Sequence, residues 1–174
     1  MTTSHADFDT PIGPMYVVVT DGEVVRISLR GQRHLPTRTD DGSRDDGVGR
    51  DVQHQLAEYF TGRRRAFDLA LGPRGTDFQM SLWRELAAIP YGETVSYSEL
   101  ARRIGRPRSV RAVAMANARN PFTIVYPCHR VVGVDGSLTG YAGGLDVKRR
   151  LLELEGVPVL AGERVRVGQC DAVV

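Results

Sequence analysis

The run Pro127-Cys128-His129-Arg130-Val131 holds the residue types in this chain that could do nucleophilic chemistry. A cysteine attacks as its thiolate, so it needs a base, a positive neighbour or a helix end that lowers its pKa. His129 is a candidate base, and Arg130 is a candidate positive neighbour. The chain has 2 cysteines, and Cys170 has very different surroundings. The pattern therefore indicates a reactive thiol and not a disulfide framework.

The charged residues are unevenly distributed along the chain. The formal net charge is only +2, yet no acidic residue lies between Leu100 and Val134. The arginines inside that interval are Arg102, Arg103, Arg106, Arg108, Arg111, Arg119 and Arg130. Arginine is the usual base throughout this chain, whose one lysine is Lys148, so the missing acids carry more weight than the arginines. A basic segment without acids is typical of a surface that contacts phosphates and indicates a nucleic-acid partner.

Length and composition restrict the class of protein. The 174 residues, with 41% hydrophobic and 25% charged, are typical of a soluble globular protein with one large or two small domains. No apolar stretch approaches the length of a membrane span, and residues 1–7 lack the pattern of a secretion signal. We therefore expect a cytoplasmic protein with no membrane partner, since a reducing compartment suits a nucleophilic thiol. His5, His34 and His54 lack the spacing of a metal site, so we expect no metal and no cofactor.

The first part of the chain indicates a small domain with strands and one helix. Two β-branched runs, residues 15–19 and 24–29, flank the turn signal Asp21-Gly22 and predict a hairpin. Apolar residues recur at helical spacing from Val52 to Phe60. We expect an exposed loop over 37–51, a further strand over 66–71 and a linker over 72–75.

The second part is mainly helical. Thr76 and Gln79 form a predicted capping box, and Ser96 and Glu99 form another, which opens a helix that runs to about residue 104. Ser109 can cap a third helix over 110–118. Two short helices joined by a glycine-containing turn are typical of a helix-turn-helix.

The remaining segments complete the predicted architecture. We expect an extended segment over 123–126, a last helix over 146–155 and a strand over 162–167. The fold class is α+β: a small N-terminal α/β domain with antiparallel strands, residues 1–74, and a mainly helical C-terminal domain with a helix-turn-helix, residues 75–174.

Several motifs resemble the O6-alkylguanine-DNA alkyltransferase family in order and spacing from Gly75 to Gly156, close to half of the chain. The matching runs are Gly75-Thr76-Asp77-Phe78-Gln79 before Trp83, Ile89-Pro90-Tyr91-Gly92-Glu93-Thr94, Ser96-Tyr97, Arg111-Ala112-Val113, Asn117 with Asn120-Pro121, Pro127-Cys128-His129-Arg130-Val131-Val132-Gly133, Gly140-Tyr141-Ala142-Gly143-Gly144 and Leu151-Leu152-Glu153-Leu154-Glu155-Gly156. Alone, several of these residues have ordinary interpretations: Asn120-Pro121 as a turn, Glu155 as a solvated acid at a helix end, Arg111 as a surface charge and Tyr97 as a half-buried helix residue. Their joint spacing around one cysteine identifies the chain as a member of that family.

The resemblance implies a repair reaction on DNA. Cys128 would take the alkyl group from the O6 of O6-methylguanine, with O4-methylthymine as a further substrate left open. Because the thioether product is stable, each molecule would act once. His129 would take the thiol proton through a bridging water, Glu155 would orient the imidazole, and Asn120 would hold the loop before the cysteine in shape.

The resemblance also implies contacts to the damaged base. Tyr97 would donate to the ring as charge develops on the leaving guanine. The backbone at Tyr141 and Ala142 would hold the O6 side. The carbonyls of Cys128 and Val131 would contact the guanine amino group.

The partner implied by the resemblance is double-stranded DNA that carries O6-alkylguanine. The target base must leave the stack, and the second helix of the helix-turn-helix would lie in the minor groove. Arg111 would fill the gap left by the base. The neighbouring contacts would come from Ser109, Val110, Ala112 and Ala114, and Ala114 stands where the family commonly has glycine. We expect a monomer, with cooperative assembly along DNA left open.

Three other interpretations predict different behaviour. Some relatives bind alkylated DNA without transfer, but they have lost the cysteine. A thiol hydrolase that used Cys128 and His129 would turn over many times. A helix-turn-helix regulator would prefer one DNA sequence and ignore alkylation.

Overall fold

A four-stranded sheet begins the chain, with strand order β3-β2-β1-β4. The computed structural model describes residues 1–34 and 41–167, so part of the predicted 37–51 loop and all of Cys170 lie outside the described residues. The strands are β1 (Thr3–Phe8), β2 (Met15–Thr20), β3 (Glu23–Leu29) and β4 (Ser43–Arg44). The first three are antiparallel neighbours, and β4 pairs with β1 in parallel.

The predicted hairpin is confirmed as β2 and β3, whereas β1 was not predicted. The β1 sequence is mostly polar, and Ala6 is its one fully buried residue. Its position depends on the ladder with β2, which a local pattern cannot show. The expectation of an exposed loop over 37–51 is wrong at Asp41. This residue is buried, accepts a hydrogen bond from Tyr16 and forms an ion pair with Arg26.

Helix α1 (Arg50–Phe60) packs against this sheet through Val52, Leu56 and Tyr59, all fully buried. It begins after Gly49, which has φ 66° and leaves no room for a side chain, since a Cβ there would lie 2.5 Å from the Val17 side chain.

The predicted strand over 66–71 is wrong. Only Leu71 makes a bridge, to Val24. The Gln55 side chain takes the place of a neighbouring strand, because its amide donates to Asp68 O at 2.6 Å and accepts from Asp68 N at 2.8 Å.

The second part contains four helices and a two-stranded parallel sheet among the described residues. Its helices are α2 (Asp77–Ala87), α3 (Tyr97–Arg103), α4 (Val110–Ala118) and α5 (Leu145–Leu154), and its strands are β5 (Val95–Ser96) and β6 (Val131–Val132). A 3-10 turn over Cys128–Arg130 leads into β6. The helix-turn-helix is α3 and α4.

The predicted helix caps had different outcomes. The Thr76 capping box is complete. Ser96 accepts from the Glu99 amide at 3.1 Å, but the Glu99 carboxylate pairs with arginines of its own helix instead of closing the box. Ser109 precedes α4 without a side-chain cap.

Two other local predictions are also corrected. Residues 123–126 form a turn, with Ile124 at φ 75°, and are not extended. Residues 162–167 contain only single bridges at Arg164 and no strand.

The two parts share apolar packing. Phe122, Ile124 and Leu151 from the second part join the cluster formed by the sheet and α1. Cys128 lies in another cluster, which α2, α3 and α4 build with Val95 and Val131. Within the described ranges, no helix combines the length and the apolar character needed to cross a bilayer.

Candidate active site

The Cys128 thiol is held at the start of the 3-10 turn, between Pro127 and β6, with only 4% of the residue exposed. Burial raises the pKa of this thiol. The neighbouring Asn120 and Tyr141 side chains and the charge of Lys148 act in the opposite direction without cancelling the rise. The cysteine therefore rests as a thiol and needs a base to take its proton.

His129 has the state required of that base. Burial lowers the pKa of its imidazole, although Glu155 opposes this effect, so the ring rests neutral. Its Nε2 lies 2.7 Å from Glu155 Oε1. A neutral ring that donates from Nε2 to a carboxylate has its acceptor lone pair on Nδ1. Nδ1 is buried and meets no hydrogen-bond partner among the described residues, so it is available to accept a proton.

The Glu155 carboxylate, at the C-terminal end of α5, is surrounded by donors. Arg130 donates from Nε to Oε2 at 2.8 Å and from Nη2 to Oε1 at 2.9 Å. Tyr59 donates to Oε1 at 2.6 Å, and the Gly92 amide donates to Oε2 at 3.2 Å. Burial alone would raise the pKa of this carboxyl, but His129 and Arg130 hold it well below its usual range. Glu155 therefore remains ionised.

Arg130 does not have the role that the sequence predicted. It was expected as the positive neighbour of the thiol, but its guanidinium binds Glu155 and donates to Ile89 O at 2.5 Å. Arg130 binds Glu155 and not the thiol because a planar guanidinium can donate two parallel hydrogen bonds to a carboxylate.

The cation that acts on Cys128 is Lys148, a residue that none of the sequence motifs indicated as part of the site. Its ammonium is fully buried and donates to Val131 O at 2.6 Å and to Thr139 O at 2.9 Å. Burial lowers the pKa of Lys148 to about 8. The signal was present in the sequence, since the chain's one lysine shares a helical face with Leu151, Leu152 and Glu155.

The loop before the cysteine is tied by Asn120. Its side-chain nitrogen donates to Tyr126 O at 2.7 Å, and its oxygen accepts from the Phe122 amide at 3.0 Å. Asn120 is fully buried, so these bonds are protected from water. The arrangement fixes the backbone that enters the 3-10 turn.

A cavity of about 580 Å³ is lined in part by two tyrosines that interact electrostatically with Cys128. Its lining includes Tyr97, Tyr141, Ala142, Ala114, Ala118 and Arg33. The Tyr97 hydroxyl donates to Gly140 O at 3.3 Å. Burial, with a further effect from Cys128, raises the pKa of Tyr97 to about 12, and the same causes raise the pKa of Tyr141 well above its usual value. Both phenols thus remain hydrogen-bond donors.

Two of the four residues predicted to contact the base through their backbone, Val131 and Ala142, already make backbone hydrogen bonds. Val131 O accepts from Lys148, so a guanine amino group would use the second lone pair of that oxygen. Ala142 O accepts from the Arg33 amide at 3.3 Å, which ties the 140–144 loop to the segment after β3.

Helix α4 lies at the edge of this cavity. Ala114 and Ala118 line it, whereas Arg111 and Ala112 are exposed, and Ser109 and Val110 are partly buried at the start of the helix. Met115, which is 45% exposed, was not included in the predicted surface.

The basic surface is smaller than the sequence suggested. Arg102 and Arg103 pair with Glu99, and Arg130 is buried on Glu155. Arg102 is exposed but paired with Glu99, and the other exposed arginines of the interval are Arg106, Arg108, Arg111 and Arg119. They lie before, on and directly after α4, so the positive charge remains concentrated at this helix.

Neither a second cleft nor a metal site provides an alternative to the Cys128 site in the described residues. A larger cleft of about 840 Å³ is lined by residues of β2, β3 and α2, and none of the predicted site residues lines it. In residues 1–34 and 41–167, no group of three or more His, Cys, Asp or Glu side chains is arranged to hold a metal ion.

Comparisons with known proteins agree for both parts of the chain. Residues 77–157 match the family model of the 6-O-methylguanine DNA methyltransferase DNA binding domain, and residues 5–73 match the ribonuclease-like domain of the same proteins. A methylated-DNA–protein-cysteine methyltransferase from Methanosarcina acetivorans is 44% identical over 87% of this chain and 97% of its own length. A methyltransferase of the same name from Mycobacterium tuberculosis is 46% identical over 87% of this chain and 91% of its own length.

Solved structures give the same result. The crystal structure of Mycobacterium tuberculosis OGT in complex with DNA has a TM-score of 0.83 and 44% identity, covering 87% of this chain and 92% of that one. An O6-methylguanine DNA methyltransferase from Methanococcus jannaschii has a TM-score of 0.62 and 25% identity, with 90% and 96% covered. This chain belongs to the 6-O-methylguanine DNA methyltransferase family.

Proposed function

We propose that this chain repairs O6-alkylguanine in double-stranded DNA by transferring the alkyl group irreversibly to Cys128. The observation that carries the proposal is the buried pair of His129 and Glu155, 2.7 Å apart, next to a cysteine that rests as a thiol. The His129 nitrogen that remains available, Nδ1, is the one a base would use. O4-methylthymine is a second candidate substrate of the same site.

The reaction follows from these groups. His129 takes the thiol proton through one water molecule, and Glu155 stabilises the imidazolium that forms. The sulfur attacks the alkyl carbon, an S–C bond forms, and the bond from that carbon to O6 breaks with its electron pair moving to the base. Tyr97 donates a hydrogen bond to the ring as negative charge develops. The guanine anion takes up a proton, which balances the one that His129 removed from the thiol, so the products are S-alkylcysteine and restored guanine.

Positioning of the substrate rests on the other predicted residues. We place the flipped base in the 580 Å³ cavity, against Tyr97, Tyr141 and Ala142. On this proposal, the carbonyls of Cys128 and Val131 contact the guanine amino group. Asn120 keeps the loop in shape.

The DNA contact is proposed for the face of α4. Arg111 replaces the extruded base in the stack, and Ser109, Val110, Ala112 and Ala114 allow close approach to the minor groove. The exposed arginines at this helix support a salt-sensitive, largely sequence-independent contact. We propose that one copy suffices for repair and that the protein works in the cytoplasm, where the thiol stays reduced.

Counting turnovers tests the proposed function. The chain is mixed with a limiting or an excess amount of duplex that contains one O6-methylguanine, and the methyl group is radiolabelled. Transfer should stop when one methyl group is bound per protein molecule, whatever the excess of DNA. Many turnovers would indicate a hydrolase, whereas binding without transfer would indicate a lesion-binding protein or a regulator. Cys128→Ala is the control, and it should bind the duplex without accepting label.

A further inference from the structure

We propose that Tyr59, from the N-terminal half of the chain, is a positioning residue for alkyl transfer, because its hydroxyl fixes the Glu155 carboxylate that orients His129. This inference rests on the proposed function. It assigns a part in the reaction to a helix that lies outside the DNA-binding half.

The contact is short, buried and remote in sequence. The Tyr59 hydroxyl donates to Glu155 Oε1 at 2.6 Å across 96 positions of the chain. Tyr59 is fully buried, and Glu155 is 5% exposed. From the sequence alone, Tyr59 is one of the apolar positions of α1, together with Val52 and Leu56.

The hydroxyl is not needed for packing. The Tyr59 ring packs edge-on against Phe60 and tilted against Phe67, contacts that a phenylalanine at position 59 would retain. A hydroxyl buried without a partner is costly, and here its partner is the carboxylate of the site. Burial and the neighbouring Glu155 also raise the pKa of Tyr59, so this phenol can donate a hydrogen bond but does not ionise.

Tyr59 binds the same Glu155 oxygen as His129, so its hydroxyl can influence the pKa of the imidazole. Oε1 of Glu155 accepts from Tyr59, from His129 and from Arg130 Nη2. Each donor reduces the negative charge that remains for the imidazole, and a carboxylate with more free charge stabilises imidazolium more strongly. Tyr59 thus fixes the direction of the carboxylate and helps His129 remain a neutral base before reaction.

Other titratable groups surround the cluster and remain unchanged when the hydroxyl is removed. Those that face it are His129, Arg130, Lys148, Glu155, Tyr91 and Tyr141, with Arg65 placed 5.1 Å from the Tyr91 ring centre. Arg130 already binds the carboxylate, Tyr91 donates to Leu154 O and Lys148 donates to Val131 O, so these three groups cannot replace the Tyr59 donor without moving.

The test compares Tyr59→Phe with Tyr91→Phe in single-turnover transfer from methylated duplex, measured across pH. Tyr91 is a matched control, since its hydroxyl donates to the backbone oxygen of Leu154 at 3.2 Å, next to Glu155 in sequence. Tyr59→Phe should slow transfer roughly tenfold to a hundredfold, as expected for loss of a buried hydrogen bond to a charged group. It should also move the half-maximal rate to higher pH, whereas Tyr91→Phe should change neither quantity. Equal behaviour of the two variants would overturn the inference.

A double-mutant cycle separates action through Glu155 from loss of packing. In a Glu155→Gln background, Tyr59→Phe should have little further effect on rate, because the group through which it acts is gone. The same slowing in both backgrounds would show that Tyr59 acts by another route.

A measurement without DNA keeps this inference separate from the proposed function. The pKa of His129, followed by NMR, should rise in Tyr59→Phe and stay unchanged in Tyr91→Phe. Incorporating 3-fluorotyrosine at position 59, a stronger donor that keeps the hydroxyl, should lower it, and this variant serves also if Tyr59→Phe does not fold. If the parent protein transfers no alkyl group, the proposed function fails, while the His129 titration still decides the role of Tyr59. An unchanged His129 pKa in both Tyr59 variants would contradict it.

Discussion

Replacing Arg130 by methionine should strongly destabilise this protein. The change removes two hydrogen bonds to Glu155, at 2.8 and 2.9 Å, and one to Ile89 O. The Glu155 side chain is fully inaccessible, and that of Arg130 is 6% exposed, so water cannot replace these bonds without opening the site. The variant would keep a buried carboxylate with only a neutral imidazole, a phenol and one amide as donors.

The size of the effect follows from that unpaired charge. Removing one partner of a buried ion pair costs about 3–5 kcal/mol, a large part of the roughly 5–15 kcal/mol that stabilises a typical domain. For a chain of this length, the expected fall in Tm is roughly 6–20 °C. Urea unfolding at pH 7 measures the free energy of unfolding of both proteins. An unchanged m-value would show that the variant and the parent protein expose the same surface on unfolding.

Two further variants separate charge from geometry. Arg130→Lys keeps the charge but not the paired bonds, so it should lose less than Arg130→Met. Arg130→Met combined with Glu155→Gln should be more stable than Arg130→Met alone, because no charge is left buried. A loss below about 1 kcal/mol in Arg130→Met, or a double variant that loses the sum of the single losses, would refute this reasoning.

The other predictions concern the reaction and its pH dependence. Tyr97→Phe should slow transfer roughly tenfold to a hundredfold in stopped-flow assays while duplex affinity changes much less, since the phenol acts when charge develops; equal losses in rate and affinity would argue against that role. Arg111→Ala should reduce repair of duplex more than reaction with the free methylated base, because only duplex needs extrusion; a similar loss with free base would exclude the proposed contact. Because the folded pKa of Lys148 is about 8 and its ordinary value is 10.5, the unfolded chain binds more protons between these values, and this group makes stability rise with pH in that window. Lys148→Met should not show this rise in stability when urea unfolding is compared at pH 7.5 and pH 10. If the rise persisted in the variant, a group other than Lys148 would be its cause.

Acid conditions test the state of Glu155. Its folded pKa lies below the ordinary value of 4.5, so its stabilising effect is complete above pH 4.5 and disappears as pH falls through the folded value. The stability difference between the parent protein and Glu155→Gln should therefore shrink below pH 4.5.

Local chemistry in the sequence predicted much of the second half of the fold. Thr76 and Gln79 form the expected capping box, and Ser96 begins the helix that opens the helix-turn-helix. These features depend on neighbours within four positions, which a sequence pattern contains. The family resemblance predicted that Cys128, His129 and Glu155 act together, and in the structure His129 and Glu155 are in contact.

Long-range partners were the part that the sequence could not reveal. Arg130 follows Cys128 closely in the chain but turns to a carboxylate 25 positions away. Tyr59 has the spacing of a core residue, and only the packing of α1 against the second half shows what its hydroxyl binds. The predicted strand over 66–71 failed for a similar reason, because the Gln55 side chain satisfies the backbone that a strand would have paired.

Peptide mapping after reaction tests the central claim most directly. The parent protein is incubated under reducing conditions with duplex that carries O6-methylguanine, digested, and analysed by tandem mass spectrometry. We predict a gain of about 14 mass units on the peptide that contains Cys128, at one per molecule, and no gain on the Cys170 peptide or in Cys128→Ser. An unmodified Cys128 after the lesion has disappeared, or a methyl group on any other residue, would contradict the account.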